Sequence, residues 1–448
     1  MVKRRTLLLG GAGLVAAAVI AKPADKGGPH NPYFSQLNKT LRANGIDTPV
    51  LVIDLDRLDR NIDRVTASVG ASPKKTYRVV AKSIPSPELV SYVARRAQTQ
   101  SLMVFHRPFL QSMATLNPQS DILMGKPMPV AAAEKFYHEH FNSELTQPSN
   151  IEMGKIEPGQ IGSEKSSVFD PEKQLQWLID TPVRLTQYLQ LARSLGIKMR
   201  VNLELDVGLH RGGFEAGPQL EEALAIIEKN PKYLTYSGFM GYDAHLMGIP
   251  DFMAKRELPK VKARYAACVE QLNRSFPKLL TGNLCFNGAG SPTFRHYEGD
   301  EMVNDLSAGS CLMKPTHYDL PILEDFEASA FIASPVLKRL AGARIPAIDW
   351  SAPLIRGWDK NQAQMYFCYS GNWLALNESP PGLAPHFAYV SSNQQGYSAP
   401  ESVDIDVDDF IFLRPTQSEA VLLQFGSLMV VRGDQIIDRW PVIPAAHS

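Results

Sequence analysis

Tyr77-Arg78-Val79-Val80-Ala81-Lys82-Ser83-Ile84-Pro85 is a short β-branched run that ends on one lysine and breaks at Pro85-Ser86-Pro87. Val79, Val80 and Ala81 show no polar alternation, the mark of a strand buried on both faces, as in a parallel sheet. A lysine just past such a strand stands where an α/β barrel carries its chemistry. Partly desolvated, it can form a Schiff base with a carbonyl. The same lysine also satisfies a plainer reading, a strand-end residue whose ammonium reaches solvent. The rest of the chain has to decide.

Outward from this stretch, strand and helix patterns alternate. Thr48-Pro49-Val50-Leu51-Val52-Ile53-Asp54 is a second buried-type strand, and Leu55, Leu58, Ile62 and Val65 then mark one face of an amphipathic helix. After Lys82 come a helix over Pro87 to Ala97, the apolar run Leu102 to Phe105, and a short strand, Asp121 to Gly125. Between 131 and 170 the pattern fails, which predicts an inserted segment with its own helix over Ala131 to His140. His138-Glu139-His140 invites a metal, but alternate positions on a helix do not share a face, so a solvated helix end is expected. Alternation resumes with a strand at Trp177 to Asp180, a helix from Pro182 closed by Gly196, and the strand Met199 to Asp206. A strand at Tyr233 to Met240, a helix over Glu257 to Phe276, a strand at Leu284 to Phe286 and a loop over Asn304 to Ser310 complete the series. About eight such units predict an α/β fold, a (β/α)8 TIM-like barrel over 48–320 preceded by an arm over 25–47. From 321 to 448 short strand-like runs split by Gly, Pro and Asn predict a β-rich C-terminal domain.

Composition narrows the function. The 448 residues are 44% hydrophobic and 21% charged, with Lys plus Arg equal to Asp plus Glu, which gives no footing for nucleic acid. Cys268, Cys285, Cys311 and Cys368 lack C-x-x-C spacing, so neither a zinc ribbon nor a disulfide framework is indicated. Lys3-Arg4-Arg5 followed by an uncharged run from Thr6 to Ala21 is an export-signal pattern over 1–24, twin-arginine-like at Arg4-Arg5-Thr6-Leu7-Leu8. It predicts a periplasmic or exported protein with no stable membrane span after processing; an uncleaved anchor is the alternative.

Four strand-end loops carry reactive groups: Lys82; Gly208 to Gly213 with His210 and Arg211; Tyr242 to His245; and Gly288-Ala289-Gly290-Ser291-Pro292-Thr293. Small residues at a strand end let backbone N–H groups approach a phosphate, with Ser291 and Thr293 adding hydroxyls; an ordinary tight turn is the plain alternative. Arg211 pairs with an anion or with a surface carboxylate. Tyr242 and His245 contact a flat heterocycle, move a proton, or form a half-buried pair. Lysine, phosphate turn and aromatic contacts together are what pyridoxal 5′-phosphate requires.

Glu204-Leu205-Asp206-Val207-Gly208-Leu209-His210-Arg211-Gly212-Gly213, Gly241-Tyr242-Asp243-Ala244-His245, Gly288-Ala289-Gly290-Ser291 and Gly309-Ser310 carry a resemblance. The chain resembles the fold-type III pyridoxal-phosphate enzymes, the alanine racemase N-terminal-like barrels, in the branch of D-threonine aldolase and D-serine dehydratase. Arg78 and Lys82 match that branch's Arg-Pro-His-x-Lys, with Val79 and Val80 in place of Pro and His. The resemblance implies Lys82 as the Schiff base and Lys82, His245 and Tyr242 as catalytic groups. It implies cofactor contacts from Lys82, Arg78, Arg211, Tyr242, Gly288, Ala289, Gly290, Ser291 and Thr293, and a homodimer. The branch also holds a metal through a Glu-His-Gly-like motif and a distal His-x-Cys pair. The matching stretches here, Gln417 to Val421 and Asp438 to Ile443, contain neither His nor Cys, and His447 is the only later histidine, so no metal ligand is expected. The expected function is a lyase acting on D- or β-hydroxy amino acids by Cα–Cβ cleavage or β-elimination, with a small-molecule substrate. An amino-acid racemase of the same fold and a non-catalytic pyridoxal-phosphate-binding protein are the alternatives.

Overall fold

Eight parallel strands close into a barrel in the computed structural model, which describes residues 22–72, 74–145 and 168–443. The export-signal residues before Lys22, most of the expected insertion (146–167) and His447 lie outside the described residues. Two compact units divide the chain. One holds the chain up to Asp56 together with Ala328–Arg439; the other holds Arg57–Glu327 and the chain from Trp440.

The first strand of the chain, β1 (Val50–Asp54), belongs to the β-rich unit. The barrel strands are β2 (Thr76–Val80), β3 (Ser101–Val104), β4 (Asp121–Met124), β5 (Leu175–Ile179), β6 (Met199–Leu205), β7 (Leu234–Gly241), β8 (Cys285–Gly288) and β9 (Asp305–Ala308). Closure is by β9 against β2, Thr76 opposite Asp305 and Val79 opposite Ala308. Helices lie between the strands with the ends their sequences dictate. Ser86 caps Pro87–Arg96, His106 caps Arg107–Leu116 and Thr181 caps Pro182–Leu195, each followed by proline in the first turn, where its missing N–H costs nothing. Gly196 ends the last of these in the left-handed region (φ 67°). The helix expected from Glu257 begins at Asp251 and carries Pro259 inside it; the proline is not the start signal it resembles.

Two expectations for the barrel are corrected. Thr48 to Asp54 does not open it: β1 pairs antiparallel with β10 (Ala330–Ala341) and parallel with β16 (Ser427–Arg432). All five β1 residues are buried, and a doubly buried apolar run fits a central strand of a mixed sheet as well as a barrel strand. The missing eighth strand is β9, within the expected loop at 304–310. Its Asp-Leu-Ser-Ala sequence puts polar residues on a buried barrel face, so it lacks the apolar signal of its neighbours.

The β-rich unit adds β11 (Gln364–Tyr369), β12 (Ala375–Ser379), β13 (Ala384–Pro385), β14 (Gln394–Ala399), β15 (Phe410–Pro415) and β17 (Gln435–Pro441). The main order is β13-β14-β11-β10-β1-β16-β17, with β15 pairing both β10 and β12. The expected arm is mostly a helix, Pro32–Ala43, whose first turn is capped by Asn31 accepting from the Phe34 N–H. Phe34, Leu37 and Leu41 pack on Val52, Phe331, Phe410, Phe412 and Met429. Burial of each such side chain is worth about 1.5–3 kcal/mol, so the arm is part of this unit's core.

Candidate active site

Lys82 stands two residues past the end of β2. Val79 and Val80 pair with Leu102 and Met103 of β3, and the chain then leaves the sheet in one tight turn, Ala81–Ser83, closed by the Ile84 N–H donating to the Ala81 carbonyl at 3.1 Å. Lys82 is half-buried, with Nζ 4.9 Å from the Phe105 ring centroid, a cation–π distance. Phe105 closes over Gly125, where any Cβ would collide with its ring. The ends of β2, β3 and β4 thus build one wall beside the lysine.

Gly309, just past β9, lets that strand end approach: a Cβ there would stand 2.6 Å from the Val80 carbonyl oxygen. Next to it, Ser310 and Ser83 share a hydroxyl hydrogen bond of 2.8 Å, which fixes the residue after Lys82. Ser291 Oγ accepts the Gly309 N–H (3.0 Å) and the Cys311 N–H (3.1 Å), joining the turn after β8 to the end of β9. With two N–H groups accepted, the Ser291 hydroxyl still has its proton to donate, with the Cys311 sulfur as its neighbour.

The turn after β8 is held by Thr293, whose Oγ1 accepts the Gly290 N–H (3.1 Å) and donates to Asp243 Oδ1 (2.7 Å). Ala289 adopts φ 65°, a left-handed conformation uncommon for a residue with a Cβ. Gly290 leaves room for Tyr242: a Cβ there would be 2.7 Å from the ring. On the same ring, the Arg211 guanidinium stands 5.3 Å from the centroid.

Arg211 comes from the loop after β6, which folds back on its own strand. Phe214 N–H donates to the Glu204 carbonyl (2.7 Å), and Asp206 N–H to the Phe214 carbonyl (2.9 Å). Only glycine fits at 213, where φ is 106° and a Cβ would lie 2.8 Å from the Asp206 nitrogen. Asp206 Oδ1 accepts the N–H groups of Gly208 and His210; with the His210 ring these outweigh burial and hold its carboxyl below the usual range. Glu204, 7% exposed, behaves oppositely: burial pushes it up to about 6, against the pull of Arg211 at 3.6 Å.

In the loop after β7, Asp243 is fully buried and accepts from Thr293 and from the Tyr297 hydroxyl (2.8 Å); burial raises its pKa in spite of both donors. His245 has both ring nitrogens buried without a hydrogen-bond partner among the described residues. A half-buried imidazole in that state at a barrel mouth has hydrogen-bonding capacity that the described residues leave unused.

A continuous path of contacts therefore runs round the carboxyl-terminal mouth, from the Lys82 turn through Ser310, Ser291, Gly290 and Tyr242 to Arg211 and Glu204. Two residues depart from expectation. Thr293 spends its hydroxyl on Asp243, so it anchors the turn and has no proton left for a phosphate. Arg78 is not at this mouth. Its Nε and Nη2 donate to Asp305 (2.8 and 2.9 Å), Nη2 also to Asp121 Oδ1 (2.9 Å), and Nη1 to the Leu102 and Asp121 carbonyls. Burial opposes its charge, but Asp305 and Asp121 more than restore it; the group is a structural ion pair and not a cofactor contact. His138 and His140 do not converge either: His138 is exposed, whereas His140 is buried and stacks on Phe136 at 5.7 Å, so the solvated helix end is half right. Sequence reasoning passed over Phe105, Glu204 and Asp243 as functional groups, though each lies inside a stretch it singled out.

Residues 159–315 match the family described as alanine racemase, N-terminal domain. Among solved structures, a D-threonine aldolase from Filomicrobium marinum is similar over 94% of this chain and 98% of its own, at 16% identity and a TM-score of 0.67. D-threo-3-hydroxyaspartate dehydratase from Delftia sp. HT23 follows at 15% identity over 90% and 98% (TM-score 0.65). Alanine racemase from Clostridium difficile 630 is similar at 15% identity over 88% and 98% (TM-score 0.62). No curated protein matches the chain by sequence. The fold is that of the fold-type III pyridoxal-phosphate barrels, a TIM barrel with a β-rich unit.

Proposed function

We propose that this chain is a pyridoxal 5′-phosphate-dependent lyase acting on D- or β-hydroxy amino acids, by Cα–Cβ cleavage or β-elimination. The observation that carries the reading is the placement of Lys82. It stands two residues past the end of β2, beside Phe105, in a mouth whose other strand-end loops present Arg211, Tyr242, His245 and the Gly288–Ser291 turn. The residues fit the cofactor: His245 has two unmet nitrogens, Ser291 keeps a donor proton, and glycine at 290 leaves the Tyr242 ring uncovered by a Cβ. When bound, the cofactor supplies an electron sink for negative charge at Cα.

This chain's own groups would divide the remaining work. Lys82 Nζ holds the cofactor and afterwards moves the proton at Cα. Arg211 orients the ring edge, kept in place by Glu204 and Tyr242. Ser291 and the backbone of Gly288, Ala289 and Gly290 bind the phosphate. His245 is the second acid or base. We read the reaction as metal-free, because Gln417 to Val421 and Asp438 to Ile443 offer no His or Cys. The similarity to an aldolase and a dehydratase of hydroxylated amino acids supports the lyase class. We also propose export through the twin-arginine-like segment and a homodimer.

The test is a panel of D- and L-amino acids, run with manganese, with zinc and with a chelator, on protein whose visible absorbance has been recorded. Release of aldehyde or ammonia supports the lyase. Loss of chirality without release identifies a racemase, for which Tyr242, His245 or a residue of the β-rich unit is the candidate second acid/base. Cofactor absorbance without turnover identifies a binding protein, and a colourless protein that takes up no added cofactor ends the proposal altogether.

A further inference from the structure

Between β10 and β11 of the β-rich unit the chain makes a tight turn, Asp349–Ser351, and a short helix, Ala352–Trp358. Trp350 is 72% exposed and Leu354 69%. Trp358 follows Leu354 by one helical turn, on the same face, and is 45% exposed; Ile348 is exposed in the same segment. Ile345, Ile355 and Trp358 also line a groove of about 310 Å³ together with Pro385 and Phe387, and Phe387 is 72% exposed. Single exposed apolar residues need no explanation, but a group of this size on one surface marks a place of contact.

The segment is held in a fixed place. Arg356 Nη1 donates to the Ala341 carbonyl (3.2 Å), and its side chain lies where a Cβ at Gly342 would stand. The Tyr389 hydroxyl donates to the Arg344 carbonyl (3.0 Å). The described chain also begins on this helix. Lys22 Nζ donates to the Gly357 carbonyl (2.9 Å), while Asn361 accepts the Lys26 N–H (3.0 Å) and donates to the Ala24 carbonyl (2.9 Å). The uncharged run from Thr6 to Ala21 therefore joins the described chain beside the exposed tryptophans. Cations prevail in the same stretches: Lys22, Lys26, Arg344, Arg356 and Lys360 stand against Asp25, Asp349 and Asp359.

We propose that this face rests on a lipid bilayer, with Trp350, Leu354 and Trp358 at the boundary between headgroups and acyl chains and the cations against anionic headgroups. Trp and Leu beside Lys and Arg is the composition of protein surfaces that lie in that boundary. An apolar run behind a basic start is built to enter a bilayer, and the surface that follows it to the headgroups is the one that holds Lys22. No helix among the described residues is long and apolar enough to cross a membrane, so this contact is peripheral. Where the bilayer lies rests on the export-signal reading of residues 1–24; the chemistry of the face does not, and neither depends on the reaction at Lys82.

The test mixes the full chain with vesicles of equal parts phosphatidylglycerol and phosphatidylcholine brominated on its acyl chains. Two quantities are read: the fraction that sediments with the vesicles, and the quenching of tryptophan fluorescence, which reports tryptophans that reach the bromines. Bound protein is expected to be quenched. Trp350→Phe combined with Trp358→Phe should remove most of the quenching and leave sedimentation in place, since Trp177 and Trp440 are buried. Leu354→Asp should raise the lipid concentration for half-binding by about tenfold, and vesicles of phosphatidylcholine alone should do the same. The double phenylalanine variant keeps both rings, so it remains informative if Leu354→Asp fails to fold. Protein that sediments without quenching is held by residues 1–21 alone, and that result overturns the proposal while leaving the export signal standing. No sedimentation at all, or quenching that survives in the double variant, overturns it as well. So does a Leu354→Asp that turns a dimer into a monomer by light scattering with vesicle binding unchanged, which assigns the face to a second copy. The export reading has its own failure, a chain that stays in the cytoplasm on cell fractionation, and that outcome leaves the vesicle result intact.

Discussion

Thr293 donates its hydroxyl proton to Asp243 Oδ1 at 2.7 Å, and this bond ties the loop after β8 to the loop after β7. Thr293→Val keeps the shape and removes the donor, leaving one oxygen of a fully buried carboxyl short of a partner. The expected cost is about 1–3 kcal/mol of unfolding free energy, measured by chemical denaturation. Thr293→Ser should restore most of it. A threonine that served the phosphate alone would show weakened cofactor uptake without that loss of stability.

Lys82→Ala should abolish the visible absorbance of the lysine-bound cofactor and lower turnover by several orders of magnitude, while the unfolding transition of the cofactor-free protein stays close to wild type. Lys82 is half-buried at the mouth, just past the end of β2. Spectra and denaturation curves recorded on one preparation separate the two effects.

Glu204 makes stability depend on pH in a defined direction. Burial lifts its pKa from 4.5 to about 6, so the folded state holds the proton more tightly than the unfolded chain. The residue therefore costs nothing below about pH 4.5; its cost grows as pH rises to about 6 and is full above that, at roughly 2 kcal/mol for a shift of this size. Glu204→Gln should relieve that cost at pH 8 and change little at pH 4. The same variant loosens Arg211, so a rise in stability accompanied by weaker cofactor uptake is the expected pairing.

Arg78→Met should destabilise by about 3–5 kcal/mol, because Asp305 is left buried with its arginine gone, while Asp121 keeps Arg200 alone. The fraction that folds should take up cofactor with wild-type affinity. Loss of uptake by folded Arg78→Met would return the residue to the cofactor site.

The alternation of buried strands with capped helices was legible because parallel barrel strands are apolar on both faces and because Ser86, Thr181 and Gly196 mark helix ends chemically. The carboxyl-terminal mouth was legible for a related reason: Gly208 to Gly213 and Gly288 to Ser291 are glycine-rich where backbones must approach closely. Placement along a strand was not legible. Arg78 shares a strand with the run that leads to Lys82, yet its side chain reaches Asp305 and Asp121 at the first residues of their strands. Partner choice was equally hidden. Nothing in Val50 to Asp54 says that its neighbours are residues 330–333 and 428–431. The four residues of β9 failed as a signal because the barrel there is lined by Asp305, Ser307 and Asn287, which hydrogen-bond to one another.

The place of β1 has a consequence for synthesis. Val50 must find Ala333, and Leu51 must find Leu428, so the whole barrel is translated between one strand of this sheet and its partners. Contacts of such long sequence separation form slowly, whereas each barrel strand has a neighbour only tens of residues away, β9 against β2 excepted. On the ribosome β1 waits as an apolar ribbon with both edges open until Ala330–Ala333 has emerged, and with one edge open until Leu428–Val431 follows. A premature stop anywhere before Leu428 would leave one of those edges bare, a template for pairing with other chains.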